Sequence, residues 1–313
     1  MALLLLPLSL AVLSWLAIQY GCGPRGWQFG ATAAFPHLNE LRMPRTMAAL
    51  AAGALLSAAG IIMQRLTSNP LASPEILGVS SGASLGVILL LFVVPAPAIG
   101  AQLGAGALGA LAILASIVFL GRKASFAPES MLLIGIAVGT LFSAVSALLM
   151  VSGDPRMSAL LAWLSGSTYG MTPTRATILL TGCLALLATI PVFARWLAVL
   201  PLGAGMSRAV GLHLSLSRFM LLLLAALMTS AATLAIGPLT FVGLLAPHMA
   251  TRAGFQRPLS QCYAAAAMGA LIMVTADWLG RNLIFPYEIP AGLLAAFIGA
   301  PYLMKAIAAK ARL

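Results

Sequence analysis

Arg42-Met-Pro-Arg45, an apolar run to Gln64, then Asn69-Pro-Leu-Ala-Ser-Pro-Glu-Ile-Leu-Gly-Val-Ser-Ser-Gly82: this stretch decides the fold. Two arginines three residues apart share one face of a helix. After them no charge occurs until Arg65, and a bilayer core of about 30 Å needs about 20 such residues. Asn69-Pro70 then stops the helix, because proline lacks an N–H and clashes with the preceding turn. Ser73, Pro74 and Glu75 read as the N-cap, first and second positions of the next helix. Its glycines Gly78, Gly82 and Gly86 fall four apart and form a groove for close helix approach. The stretch predicts an arginine-tipped crossing, a tight turn and a second crossing packed through glycine.

Composition extends that reading to the whole chain. Of 313 residues, 61% are hydrophobic and 7% charged, with a mean hydropathy of +1.05; soluble domains carry about 25% charged residues. Only helices and closed barrels satisfy their backbone in lipid, and the long, unalternating apolar runs exclude a barrel. The sequence predicts an all-α, polytopic membrane protein with about ten transmembrane helices. The approximate spans are 1–20, 44–66, 75–94, 98–120, 129–151, 172–195, 216–236, 239–254, 262–282 and 289–308. No internal repeat or low-complexity linker interrupts them, so residues 1–313 read as a single transmembrane domain. Residues 1–20 lack a basic leader region, and Gln19-Tyr-Gly-Cys22 is a poor lipoprotein cleavage site, so they read as a first span. Cys22, Cys183 and Cys262 have no metal or redox spacing; the latter two read as small packing residues.

An even number of crossings puts both ends on one side, and Lys305, Lys310 and Arg312 make that side cytoplasmic. Eleven of the 17 basic residues then lie inside: Arg65, Arg122, Lys123, Arg195, Arg208, Arg218, Arg252, Arg257 and those three. Arg25, Arg42, Arg45, Arg156, Arg175 and Arg281 lie outside. The net charge of +11 is therefore a topology signal with affinity for anionic headgroups. A nucleic-acid role would need a basic face on a soluble domain, and there is none.

Several residues carry possible chemistry. Arg42, Arg45 and Arg281 face outward against the charge bias and need compensation, or else anchor the interface by snorkelling. Asp277 is the one acid inside an apolar span; Arg281 at i+4 makes an intrahelical pair the simple explanation. Glu40, Glu75, Glu129, Asp154 and Glu288 fall at loops or helix ends, which argues against a proton relay. Thr140, Ser143 and Ser146 either line a pathway or back-bond within their helix, and Gly135 and Gly139 repeat the close-packing spacing. Gly78-Val-Ser-Ser-Gly82 matches a nucleophile elbow in letters only, because that motif needs a strand before its helix. His37, His213 and His248 are too scattered for a metal site, so no metal, cofactor or catalytic residue is expected. The sequence holds no phosphate-binding loop with its lysine. Any ATP-driven motor would be a separate chain.

With the opening stretch, Gly237-Pro-Leu-Thr-Phe-Val-Gly-Leu-Leu-Ala-Pro-His248, Ala276-Asp-Trp-Leu-Gly-Arg281, Glu288-Ile-Pro-Ala-Gly292 and Ile298-Gly-Ala-Pro301 occur in an order that resembles one family. It is the permease family of bacterial ABC importers for iron-siderophores, haem and vitamin B12, matched from about Trp27 to the C-terminus. Within it the chain is most similar to the C-terminal half of the double-length ferric hydroxamate (ferrichrome-type) permeases, including Ser152-Gly-Asp-Pro-Arg-Met157 and Trp163-Leu-Ser-Gly-Ser-Thr-Tyr169. The resemblance implies a type II ABC importer permease fold in the bacterial inner (cytoplasmic) membrane, importing an iron-siderophore and not acting as an enzyme. It implies that Arg42, Arg45 and Arg281 dock a periplasmic substrate-binding protein and that Asn69 and Leu71 narrow a cytoplasmic gate. The loop carrying Gly203, Arg208 and Gly211 would couple to ATPase subunits. A second permease half, as a copy or a paralogue, would complete the pathway. Haem or vitamin B12 is the alternative cargo. A secondary transporter is the alternative class, but buried ionisable residues at the midplane are missing from this placement, as is the catalytic cluster of an intramembrane enzyme.

Overall fold

The computed structural model describes residues 2–23, 26–30, 38–94, 97–121, 127–151 and 157–310. Arg25, His37, Arg122, Lys123, residues 152–156 and Arg312 lie outside the described residues, as do the side chains of Glu129 and Lys310. Helix α1 (Ala2–Gln19) leads into a two-stranded antiparallel hairpin, β1 (Tyr20–Gly23) with β2 (Gly26–Phe29), in register Gly23 to Gly26. Then follow α2 (Leu38–Thr67), α3 (Val79–Val93), α4 (Ile99–Gly121), α5 (Pro128–Met150), the short α6 (Met157–Leu164) and α7 (Pro173–Thr189). The short α8 (Ala194–Val199) and α9 (Ala204–Ala209) precede α10 (Leu214–Ile236), α11 (Val242–Arg252), α12 (Pro258–Asn282) and α13 (Ala291–Lys310).

Six of these helices are long and apolar enough to cross a membrane: α2, α4, α5, α7 (running on through Leu202), α10 and α12. Shorter apolar stretches lie in α1, α3 and α13. Helix α2 is the axis, with 89% of its apolar window buried, and α7, α10, α11 and α12 pack around it. Small side chains allow this. A Cβ on Gly53 would collide with the Gly269 carbonyl of α12, and one on Gly60 with the Gly243 carbonyl of α11. Cys183 and Cys262 are buried packing residues, as their apolar setting predicts.

Two expected crossings differ from the sequence reading. The span expected at 75–94 starts as a 3-10 turn, Pro74–Leu77, and α3 begins only after Gly78, which at φ +71° breaks the helical dihedrals. Gly78 needs that freedom and its missing side chain together, since a Cβ there would sit 2.6 Å from the Gly139 Cα of α5. The span expected at 239–254 is an 11-residue helix, about 16 Å long and too short to cross alone. Gly237 at φ +86° ends α10 and Phe241 at φ +68° precedes α11, leaving an irregular segment between them. The Gly78–Gly82 stretch opens a helix with no strand before it, and Ser80 is buried in a 3.0 Å hydrogen bond with Thr233.

The glycine groove packs α3 on two neighbours: Gly82 and Gly86 meet Gly109 and Ala105 of α4, while Gly78 meets Gly135 and Gly139 of α5. Gly82→Val should therefore destabilise the purified protein by about 1–3 kcal/mol through overpacking. Gly104→Ala, which meets nothing within 4 Å, should leave the melting midpoint in detergent unchanged. Equal midpoints for the two variants would refute the close-approach account.

Candidate functional site

One end of α2 carries a cluster of five charged side chains. Arg45 forms a bidentate fork to Glu288, Nη1 to Oε1 at 2.7 Å and Nη2 to Oε2 at 2.8 Å. Its Nε donates to Thr168 Oγ1 at 3.3 Å, and Thr168 donates in turn to Asp277 Oδ1. Arg281 Nη2 pairs with Asp277 Oδ2 at 2.9 Å, the expected i,i+4 contact. Arg42 and Arg281 also reach back to the C-terminal carbonyls of α1, at Ile18 (3.4 Å) and Ala17 (3.3 Å). Asn282 closes the cluster by accepting the Cys22 backbone N–H of β1.

The three arginines thus come together, but they are not free. Arg42 is 7% exposed, and the side chains of Arg281 and Asp277 are 8% and 1% exposed. Only the Arg45–Glu288 fork reaches the surface, with the Arg45 guanidinium 5.9 Å from the Tyr169 ring centroid. The reason is energetic: a sequestered charge is costly unless it is met, and Glu288 and Asp277 meet Arg45 and Arg281 while Arg42 bonds the Ile18 carbonyl. Three cations against two anions leave one positive charge in excess within this set. Thr168 was not singled out in the sequence, and no spacing signal could reveal it, since it lies 109 residues from the carboxylate it bonds. It belongs to the turn after α6, whose Gly166 carbonyl accepts from Gly292 N–H at 2.8 Å.

At the opposite end of α2, Asn69 folds into a side-chain-capped turn, with its Oδ1 accepting from Leu71 N–H at 2.9 Å and its own N–H bonding Gln64 O at 3.1 Å. Asn69 and Leu71 are both exposed. The loop with Gly203, Arg208 and Gly211 contains α9, bracketed by glycines at φ +95° and +81° where a side chain would be strained. Both glycines and Arg208 are exposed. On α5, Thr140 back-bonds to Ile136 and Ala137 carbonyls and Ser146 to Phe142, while Ser143 donates to Ser81 Oγ of α3 at 2.9 Å. His248 Nδ1 lies 3.2 Å from Tyr302 Oη. Among the described residues no group of three or more His, Cys, Asp or Glu is placed to hold a metal.

The cluster makes a stability prediction. Asp277→Asn leaves Arg281 sequestered without its carboxylate and should cost about 3–5 kcal/mol, read as a lowered melting midpoint in detergent. An unchanged midpoint would mean that the pair is not what holds these helix ends.

Comparison with known proteins agrees with the fold. The chain is 49% identical over 293 residues to the iron(3+)-hydroxamate import system permease protein FhuB of Salmonella typhimurium. That match covers 94% of this chain but 43% of the relative, so the chain spans less than half the length of that protein, matching its C-terminal half. It is 34% identical over 304 residues to the Fe(3+) dicitrate transport system permease protein FecD of Escherichia coli, covering 94% of each. Among solved structures it superposes on a metal-chelate type ABC transporter in an inward-facing conformation with a TM-score of 0.87, at 24% identity and 97% coverage of both chains. The model of the FecCD transport family matches residues 2–309, and the chain belongs to that family.

Proposed function

We propose that the chain is a membrane-spanning permease half of an ATP-driven importer that carries a ferric hydroxamate siderophore from periplasm to cytoplasm across the bacterial inner membrane. The observation that carries this reading is the 49% identity to a hydroxamate permease over 94% of the chain. In this reading residues 1–313 act as one transmembrane domain with about ten crossings: α1 to α5, α7 and α10 to α13, with α11 sharing its crossing with the irregular segment before it. The chain has no phosphate-binding loop, so ATP hydrolysis belongs to a partner ATPase and this subunit is not an enzyme.

The roles divide along α2. At the outer end the Arg45–Glu288 fork meets acidic residues of a periplasmic binding protein, with Arg42 and Arg281 behind it supplying positive potential. At the inner end Asn69 and Leu71 form the gate, and the loop around Arg208, set by Gly203 and Gly211, seats on the ATPase. A second permease half of the same family faces α5, only 11% of whose apolar window is buried within the chain. Ser143 with Ser81, and beside them Thr140 and Ser146, then border the pathway.

Reconstituted in proteoliposomes with its ATPase and binding protein, the complex should accumulate radio-iron ferrichrome only when ATP is present. Accumulation driven by a proton gradient without ATP would contradict the reading and favour a secondary transporter. Arg45→Glu should weaken capture of the binding protein by about tenfold or more, with reduced salt dependence; unchanged capture would remove Arg45 from the docking surface.

A further inference from the structure

The inner end of α2 holds a second arginine whose contacts differ in kind from those of Arg45. Arg65 bonds neutral groups on three neighbouring segments. Its Nε and Nη2 donate to Gln261 Oε1 of α12 at 2.9 and 2.6 Å, its Nη1 to the Leu197 carbonyl of α8 at 3.0 Å, and its Nη2 also to the Gln256 carbonyl before α12 at 2.8 Å. Gln261 is buried and donates onward to Thr251 Oγ1 of α11 at 2.8 Å. One guanidinium therefore fastens α2 to α8, α12 and, through Gln261, α11. Four residues further on stands Asn69, whose N–H is held by Gln64 O, the residue next to Arg65.

Helix α8 is also the mount of the 200–213 loop. Ser207 Oγ of α9 donates to Gly203 O at 2.8 Å and to the Val199 carbonyl of α8 at 3.3 Å. Arg195 of α8 reaches over the loop to the Val210 carbonyl at 3.1 Å. Hydrogen bonds linked by the backbones of α8 and α2 thus run from α9 to the Val199 carbonyl of α8, from the Leu197 carbonyl to Arg65, and from Gln64 to the Asn69–Leu71 turn.

We propose that Arg65 is the positioning residue that carries displacement of the 200–213 loop to the Asn69–Leu71 turn; this rests on the importer reading above. Arginine suits the task because its planar fork engages several acceptors at once, whereas lysine offers a single point of attachment. A gate moved from the loop must be connected to it through groups that shift together, and coupling of this kind is carried by contiguous bonded networks with two arrangements.

The test uses the full complex with its ATPase, carrying Leu71→Cys with Cys22→Ser, Cys183→Ala and Cys262→Ala. Labelling of Leu71→Cys by a membrane-impermeant maleimide applied from the ATPase side is compared between the resting complex and the complex trapped with ATP and vanadate. With Arg65 present, trapping should change the labelling rate by about fivefold or more. Arg65→Ala should shrink that ratio to about twofold or less while ATP hydrolysis persists, which separates lost transmission from lost folding. Arg65→Lys should restore part of the ratio, and Gln261→Ala, which frees one edge of the guanidinium, should reduce it. If Arg65→Ala fails to assemble with the ATPase, the lysine and Gln261→Ala variants decide: ratios equal to the parent overturn the proposal. A parent complex that hydrolyses ATP with no change at Leu71→Cys removes Leu71 from the gate and the proposal with it. A parent that binds no ATPase refutes the importer reading itself.

Discussion

The bundle depends on one helix that lipid hardly touches. Helix α2 runs 30 residues, about 45 Å, and its middle is built from Ala48 to Ala59, almost all alanine, glycine, leucine and serine. Lipid is as apolar as leucine, so burying such a helix wins little from the hydrophobic effect. Its association rests on close van der Waals packing between small residues. Gly53 against Gly269 and Gly60 against Gly243 bring the α12 and α11 backbones into contact with it. Cβ-free crossings of this kind fix where each neighbour lies along α2, and so fix which side chains meet at its two ends.

Those ends show two solutions to the same problem. A cation near a bilayer must be compensated, because an unmet charge in a low-dielectric setting is costly. At one end carboxylates do it, with Asp277 buried against Arg281 and Glu288 gripping Arg45 at the rim. At the other, Arg65 is met by carbonyls and an amide. The first arrangement leaves a surface pair and an excess positive charge suited to meeting an acidic partner. The second joins helices through one guanidinium whose charge is met by neutral acceptors, an arrangement suited to bearing load.

Much of this was legible in residue order. Each of the ten expected spans contains a helix, six of them long and apolar enough to cross a membrane, because long unalternating runs between charges have few other readings in lipid. The Asp277–Arg281 pair follows from i,i+4 spacing. What escaped were features set by backbone dihedrals and by distance in sequence. Gly78 looked like part of a helix and instead interrupts one. The hairpin pairing Cys22 with Trp27 was not anticipated, although Gly23-Pro-Arg-Gly26 between its strands is a turn signal. The sequestration of Arg42, the bridging Thr168 and the Glu288 fork join segments up to 243 residues apart, and no local periodicity encodes such contacts.

The proposed importer makes two physical demands: a permease half with α5 largely uncovered would meet a partner bundle, and a chain without a phosphate-binding loop would meet a separate motor. Native mass spectrometry of the chain, extracted gently from its own membranes, tests both at once. The account predicts an assembly of two permease bundles with two ATPase chains, the second bundle being a copy or a paralogue. Finding the chain alone, with no nucleotide-binding partner even after crosslinking, would contradict it.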